Sequence, residues 1–476
     1  MHVLDAGISS LSPNASRRLA RVGWLGTFGA ILALCLWSPV TDYSILLLGS
    51  LILLLSAWPA LQWAERVRPW FPVFEICMLT GAPFYAVPVL AGHPDLMPFG
   101  DEVTRHTALI FVAFQLAAIG TFQATQGRPV GSPLLRRPLL PPAWLRSAEA
   151  GLWLYSAYYY VAHFTPLIPY EYLGTLRAIF TGVGIASVFL VGYRLGARDL
   201  SQAGKFGFGL NLVIQVLMSF SGLELLAGMS LLLLGLIGYV AASRRLPLVL
   251  IVIVAAAVAF LHHGKSEMRN RYWSEDEHRR PALTEFPAFY AEWIEVAATQ
   301  RAREQETGIK QSQLWERASL FQMLCLTVDR VPELKPHLNG TSYVDLPALL
   351  IPRFLWPDKP SALESNVRLA LHFDLVTLES AGNVSIAFGA VAEAYANFGF
   401  LGVLAFGALL GFALKRCVLL AVGAPQFSAV GLFMILLTAW SFQVELVAAT
   451  WVSSLFQASV AVIGLPLALR TLLDRP

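Results

Sequence analysis

Four groups of polar residues in this 476-residue chain stand against apolar sequence and have the types and spacing to do chemistry. The first is the run Gly389-Ala390-Val391-Ala392-Glu393-Ala394-Tyr395-Ala396-Asn397-Phe398-Gly399-Phe400-Leu401-Gly402. On a helix Glu393 and Asn397 are four residues apart and share a face. The small residues around them let other backbones come close, and Gly399 with Gly402 marks a kink or break. A carboxylate at the mouth of an apolar segment is costly unless used or paired. Glu393 is therefore either a general base or a structural helix partner. The second group is Ile351-Pro352-Arg353-Phe354-Leu355-Trp356-Pro357-Asp358-Lys359-Pro360, in which three prolines stiffen a strap that holds Arg353 and Lys359. It reads either as an interfacial loop anchored by Phe354 and Trp356, or as a pyrophosphate clamp, since guanidinium groups bond phosphate oxygens in pairs and a lysine adds a point charge. The third group puts Lys265, Arg269 and Arg271 within seven residues, with Glu267 among them. In the fourth, Arg177 lies near Tyr158, Tyr159, Tyr160, His163, Tyr170 and Glu171. It is either an arginine snorkelling from an aromatic belt or a cation lining a cleft, with Glu445 as a partner or as a headgroup contact.

The elements that position these groups follow from composition. The chain is 56% hydrophobic and only 14% charged, with a mean hydropathy of +0.60. Soluble domains are roughly 45–50% apolar and about 25% charged, so a soluble globule, a disordered chain, a coiled coil and a secreted disulfide scaffold are all excluded. The four cysteines are scattered singly, without metal-ligand spacing. Apolar runs approach the length of about 20 residues that spans a bilayer. They fall near 22–40, 43–60, 71–91, 106–123, 148–165, 172–193, 206–221, 224–242 and 246–263, and again near 398–414, 428–447 and 451–469. The expected fold is all-α: a polytopic membrane protein of about twelve transmembrane helices with one large helical extracytoplasmic loop.

Charge placement gives these spans an orientation. With the N-terminus cytoplasmic, the inside segments carry Arg17, Arg18, Arg21, Arg66, Arg68, Arg128, Arg136, Arg137, Arg146, Arg194, Arg198, Lys205, Arg244, Arg245, Lys415, Arg416, Arg470 and Arg475. The short outside loops carry only Arg105, together with Asp42, Asp95, Asp101, Glu102, Glu171 and Glu224. Nine spans then put the long polar stretch outside and the C-terminus inside. The expected blocks are 1–263 (membrane), 264–385 (exported loop) and 386–476 (membrane), in the cytoplasmic membrane. Within the loop, Leu283, Phe286, Phe289, Trp293 and Val296, and then Leu314, Ala318, Phe321, Cys325 and Val328, recur at spacings of three and four. Both are amphipathic helices by period, forming either a cap on the spans or, for the first, a helix lying in the interface.

At Pro352-Arg353 with Lys359-Pro360, at the Glu393–Gly399 run and at the Lys265/Arg269 cluster, the sequence resembles the Wzy-type oligosaccharide repeat-unit polymerases. These are relatives of the O-antigen ligases among the GT-C-like membrane glycosyltransferases. The resemblance implies a polyprenyl-diphosphate-linked oligosaccharide as donor and acceptor, inverting transfer at the outer face of the bilayer, and no cofactor, metal or nucleic acid. It implies that Arg353, Arg269, Arg177 and Lys359, with Arg271, Lys265 and Asn397 beside them, hold the diphosphate and the substrate as charge grows on the leaving group. Glu393 is then the first base and Glu267 the second, and Trp356, Tyr395 and Tyr272 are platforms for sugar rings. A ligase would use a histidine as base; His337 and His372 are available in the loop, in no matching motif. Dependence on a chain-length regulator stays open. The rival from another class is a lipid-linked-oligosaccharide flippase or transporter. Against it stand the absence of an internal repeat and the sparse charge within the spans.

Overall fold

The structure, a computed structural model, describes residues 13–66, 72–127, 133–136, 139, 147–168, 170–223, 225–243, 245, 247–273, 280–307, 320–351, 355–378, 386–425 and 428–468. It is all-α. In chain order the helices are α1 (Pro13–Trp37), α2 (Tyr43–Arg66), α3 (Val73–Leu79), α4 (Val87–Leu90), α5 (Gly100–Ala124), α6 (Pro133–Arg136), α7 (Ser147–Phe164), α8 (Tyr170–Gly196) and α9 (Gln202–Phe220). They continue as α10 (Leu225–Ser243), α11 (Leu248–Tyr272), α12 (Phe286–Thr307), α13 (Leu320–Arg330), α14 (Leu346–Leu350), α15 (Glu364–His372), α16 (Ala390–Ala421), α17 (Ala429–Ser441) and α18 (Ala448–Ser459). A π-helical turn at Ala82–Ala86 joins α3 to α4. Among the described residues, nine helical stretches are long and apolar enough to cross a membrane, and Gly228–Ser243 and Ala429–Ser441 are apolar but shorter. Each of the twelve apolar windows of the sequence overlaps helix over its described residues, in whole or in part.

Two windows end differently from the expectation. The ninth does not stop at residue 263: α11 runs on to Tyr272, carrying Lys265, Glu267, Arg269 and Arg271 on its last two turns rather than in a loop. No proline or glycine interrupts residues 265–272, and Glu267 with Arg271 forms an i,i+4 pair that supports helix. The eleventh window ends early. α17 stops at Ser441, so Glu445 sits on the link to α18, where its carbonyl accepts the Gly389 N–H at 3.0 Å.

The chain forms two compact units that cut across the three linear blocks, residues 1–139 with 318–476, and residues 140–317. In the first, α5 and α16 lie backbone against backbone. A Cβ at Gly411 would stand 2.2 Å from the Ala118 carbonyl oxygen, an approach only glycine permits. Gln115 of α5 donates to Ser56 Oγ of α2 at 2.8 Å and to the Ile52 carbonyl at 3.2 Å, a polar tie between apolar helices. The second amphipathic segment is α13, whose Leu320, Phe321, Leu324 and Cys325 are buried as it packs on α5 and α16; Leu314 and Ala318 lie outside the described residues. In the second unit α8 packs between α7 and α10, and α12 packs along α11. α12 buries Phe289, Trp293 and Val296 against Met268, Phe220 and Leu223. Each such large apolar side chain contributes roughly 1.5–3 kcal/mol of burial. Trp293 also donates its indole N–H to the Leu261 carbonyl at 2.8 Å.

Candidate functional site

The best-defined polar constellation is at the start of α16. Glu393 is completely buried and both its carboxylate oxygens are taken. Oε1 accepts the Ser342 hydroxyl at 2.7 Å, and Oε2 accepts the Ala448 N–H at 2.6 Å, at the first residue of α18. That N–H is one of the unpaired donors at a helix start, where the dipole also favours a carboxylate. Ser342 sits in a 3₁₀ turn, Thr341–Tyr343, introduced by Asn339 and Gly340, both at positive φ. Its hydroxyl also accepts Asn397 Nδ2 at 2.8 Å, and its carbonyl accepts the Ser365 hydroxyl at 2.6 Å. Glu393 and Asn397 thus share a helix face, as their spacing requires, and that face is turned into the loop segment. One carboxylate ties three stretches of chain, α16, the 3₁₀ turn and α18.

Just below, α16 is broken. Phe398 (φ −138°, ψ 15°) and Gly399 (φ 60°, ψ −149°) leave helical geometry, and the second conformation is essentially open to glycine alone. A break frees carbonyl oxygens in the turn before it. Here they are recovered by the loop: the Leu338 N–H bonds the Ala396 carbonyl at 3.0 Å, and the Asn339 N–H bonds the Asn397 carbonyl at 3.1 Å. The Gly340 N–H bonds Asn397 Oδ1 at 2.9 Å. The break expected at Gly399 is therefore present and is stitched from outside the helix.

A groove of about 490 Å³ opens beside it, lined by His337, Asn339 and Asn397 on its polar side and by Phe398, Leu401, Gly402 and Ala405 along α16. His337 lies over the break, its Cε1 3.0 Å from where a Cβ on Gly399 would stand. Its Nδ1 is buried and, among the described residues, has no hydrogen-bond partner. The groove has a polar side and an apolar flank. Tyr343 stacks beside Phe398 with ring centroids 6.3 Å apart.

The remaining expected site residues distribute as follows. Tyr395 is buried within α16. Lys359 is buried too, donating to the Leu349 carbonyl at 3.2 Å and the Ile351 carbonyl at 2.5 Å, so it closes the end of α14. Trp356 is exposed on the strap; Arg353 lies outside the described residues. In the other unit Arg271 is bracketed by Glu267 at 3.1 Å and Glu292 at 2.8 Å, and Tyr272 donates to Glu292 at 2.9 Å. Glu267 and Arg271, expected as a base and a phosphate ligand, hold one another and brace α12. Arg269 donates to the Leu223 carbonyl at 3.0 Å and lies 4.2 Å from the centroid of Trp273. Lys265 is half-buried on α11, and Arg177 is exposed on α8.

Ser342 was not legible as a site residue. The only local signal is the Asn339-Gly340 pair, which marks a turn without saying what the turn presents. His337 was visible as a candidate but not as a neighbour of the Glu393–Gly399 run. No curated protein and no solved structure matches this chain. A family model described as a domain of unknown function, DUF8712, matches residues 185–439, from within α8 to within α17, including His337, Ser342, Glu393 and the break at Gly399. That match covers more than half of the sequence, and the chain belongs to this family.

Proposed function

We propose that the protein is a membrane glycosyltransferase of the cytoplasmic membrane that joins oligosaccharide repeat units carried on polyprenyl diphosphate, at the outer face of the bilayer. The observation that carries this reading is the groove beside the broken α16, with His337, Asn339 and Asn397 on its polar side and an apolar flank along the helix. A prenyl-linked donor needs such a pairing of surfaces. An acceptor hydroxyl attacks the anomeric carbon, the carbon–oxygen bond to diphosphate breaks with inversion, and the hydroxyl proton passes to a base. In this reading twelve helices cross the membrane, with residues 264–385 and the start of α16 outside. Arg353 on the strap supplies positive charge for the departing diphosphate.

Two of the candidate bases, Glu393 and the ligase-type His337, lie at this site. Glu393, with both oxygens engaged and no exposure, positions Ser342, Asn397 and α18. His337, which lines the groove, takes the proton. A histidine base favours a second reading, an O-antigen-ligase-like transfer to a different acceptor. The experiment supplies purified protein in detergent with polyprenyl-diphosphate-linked oligosaccharide and reads product length on a gel. Extension without a membrane gradient is expected and separates transfer from transport. His337→Ala is expected to slow it by on the order of a hundredfold or more, the usual worth of a general base. If wild type neither extends nor transfers glycan, the assignment fails; if His337→Ala reacts at the wild-type rate, the base is elsewhere.

A further inference from the structure

We propose that α14, with the turn at Trp356–Lys359 folded onto its end, dips back into the bilayer beside α18 and presents its exposed apolar side chains to lipid acyl chains. The segment lies within the unit of residues 1–139 with 318–476. The proposal depends neither on glycosyl transfer nor on which way the chain is oriented. Depth is read along α18. Glu393 accepts the Ser342 hydroxyl and the Ala448 N–H, so the 3₁₀ turn before α14 is level with the first residue of α18. After the strap the chain is back at that level, where Thr450 donates to the Ala362 carbonyl at 2.9 Å. Between these points it runs lower. α14 packs on α18, and Gln457 Nε2 donates to the Leu349 carbonyl at 3.3 Å. Gln457 is about 13 Å along the helix axis from Ala448. Its side chain leans back toward the helix start, which puts Leu349 roughly one to two turns below the head. The apolar window there begins at Ala448 and has 21 residues, with no turn to spare beyond the roughly 20 that cross a bilayer core. The level of Leu349 is therefore inside the apolar layer.

The polar groups of the segment are arranged as that layer demands. In water the carbonyls at the end of a five-residue helix need no protein donor. Here the Leu349 carbonyl takes both Gln457 and Lys359 Nζ, and the Ile351 carbonyl takes Lys359 Nζ as well. Lys359 is buried, and the Lys359 N–H bonds the Trp356 carbonyl at 3.3 Å to close the turn. Irregular backbone survives at membrane depth only where protein supplies its partners, and a buried cation there pairs with carbonyls. Outside this polar centre the surface is apolar. Ile351, Leu355 and Trp356 are exposed, as are Phe456 and Val460 on α18 beside Gln457, so the two surfaces continue one another. Asp358, exposed on the same turn, limits the depth. A carboxylate must reach headgroups or water, which keeps the turn in the outer part of the leaflet around the head of α18.

The test uses the full chain in phosphatidylcholine nanodiscs, where both faces are open to reagents. A membrane-impermeant maleimide is applied to Leu355→Cys and to Ser361→Cys, with wild type as the blank for the native cysteines. Leu355→Cys is expected to stay unlabelled until sodium dodecyl sulfate is added, whereas Ser361→Cys, exposed near the head of α18, labels in the bilayer. Separately, the emission of wild type minus that of Trp356→Phe isolates Trp356. Phosphatidylcholine brominated on its acyl chains is expected to quench that difference, and aqueous iodide is not. Labelling of Leu355→Cys at the rate of Ser361→Cys overturns the proposal, as does a Trp356 signal quenched by iodide and untouched by bromolipid. Protection of Leu355→Cys without bromolipid quenching assigns the face to a second copy of the chain and overturns it equally. If the variant used in one measurement fails to fold, the other decides alone by the same criterion.

Discussion

At the start of α16 the segments are joined by polar groups with no solvent around them, whereas at the end of α11 they are joined by apolar side chains with ion pairs outside. Glu393 bridges the 3₁₀ turn and α18 from full burial. Arg271 bridges α11 to α12 from the surface, its side chain 45% exposed, above a core of Met268, Phe289 and Trp293. The same residue types thus do unlike jobs. Where burial is complete, each hydrogen bond is obligatory, because a stranded partner has no water to turn to. Where apolar area makes the join, the charges merely decorate it.

The contrast is sharpest if the carboxylate is removed. Glu393→Ala strands the Ser342 hydroxyl and the Ala448 N–H together and is expected to destabilise the protein by about 3–5 kcal/mol, read as a fall in the denaturation midpoint in detergent. A loss no larger than that of a surface pair would break the comparison. Gly399→Ala should cost about 1–3 kcal/mol, since alanine cannot adopt φ 60° with ψ −149° without strain and its Cβ would press on His337. A wild-type midpoint would show that the break tolerates a side chain. Arg271→Gln is expected to cost under about 1 kcal/mol, shrinking further in about 1 M salt; a loss matching Glu393→Ala would mean that the surface pairs carry the α11–α12 join after all.

The sequence made the fold largely legible and the site only in part, for a physical reason. Apolar windows, the spacing of Phe289, Trp293 and Val296, and the break at Gly399 are local patterns, and local patterns dictate local structure. The partners of a charge are not local. Glu393 meets a serine fifty-one positions earlier, and Arg271 meets Glu292 twenty-one positions later. Spacing placed Glu393 and Asn397 on one face but could not say whether that face met solvent or protein. One missed signal was available: Glu267 and Arg271 are four apart, and that pairing extends α11 through the stretch expected as loop.

The break in α16 also has a mechanical side. Below it, Gly411 holds the helix against α5 at backbone distance; above it, the short piece from Ala390 to Asn397 is sewn to the loop and to α18. Phe398 and Gly399 leave helical geometry between the two pieces. The upper piece therefore takes its direction from the loop and α18, and the lower shaft takes its own from α5.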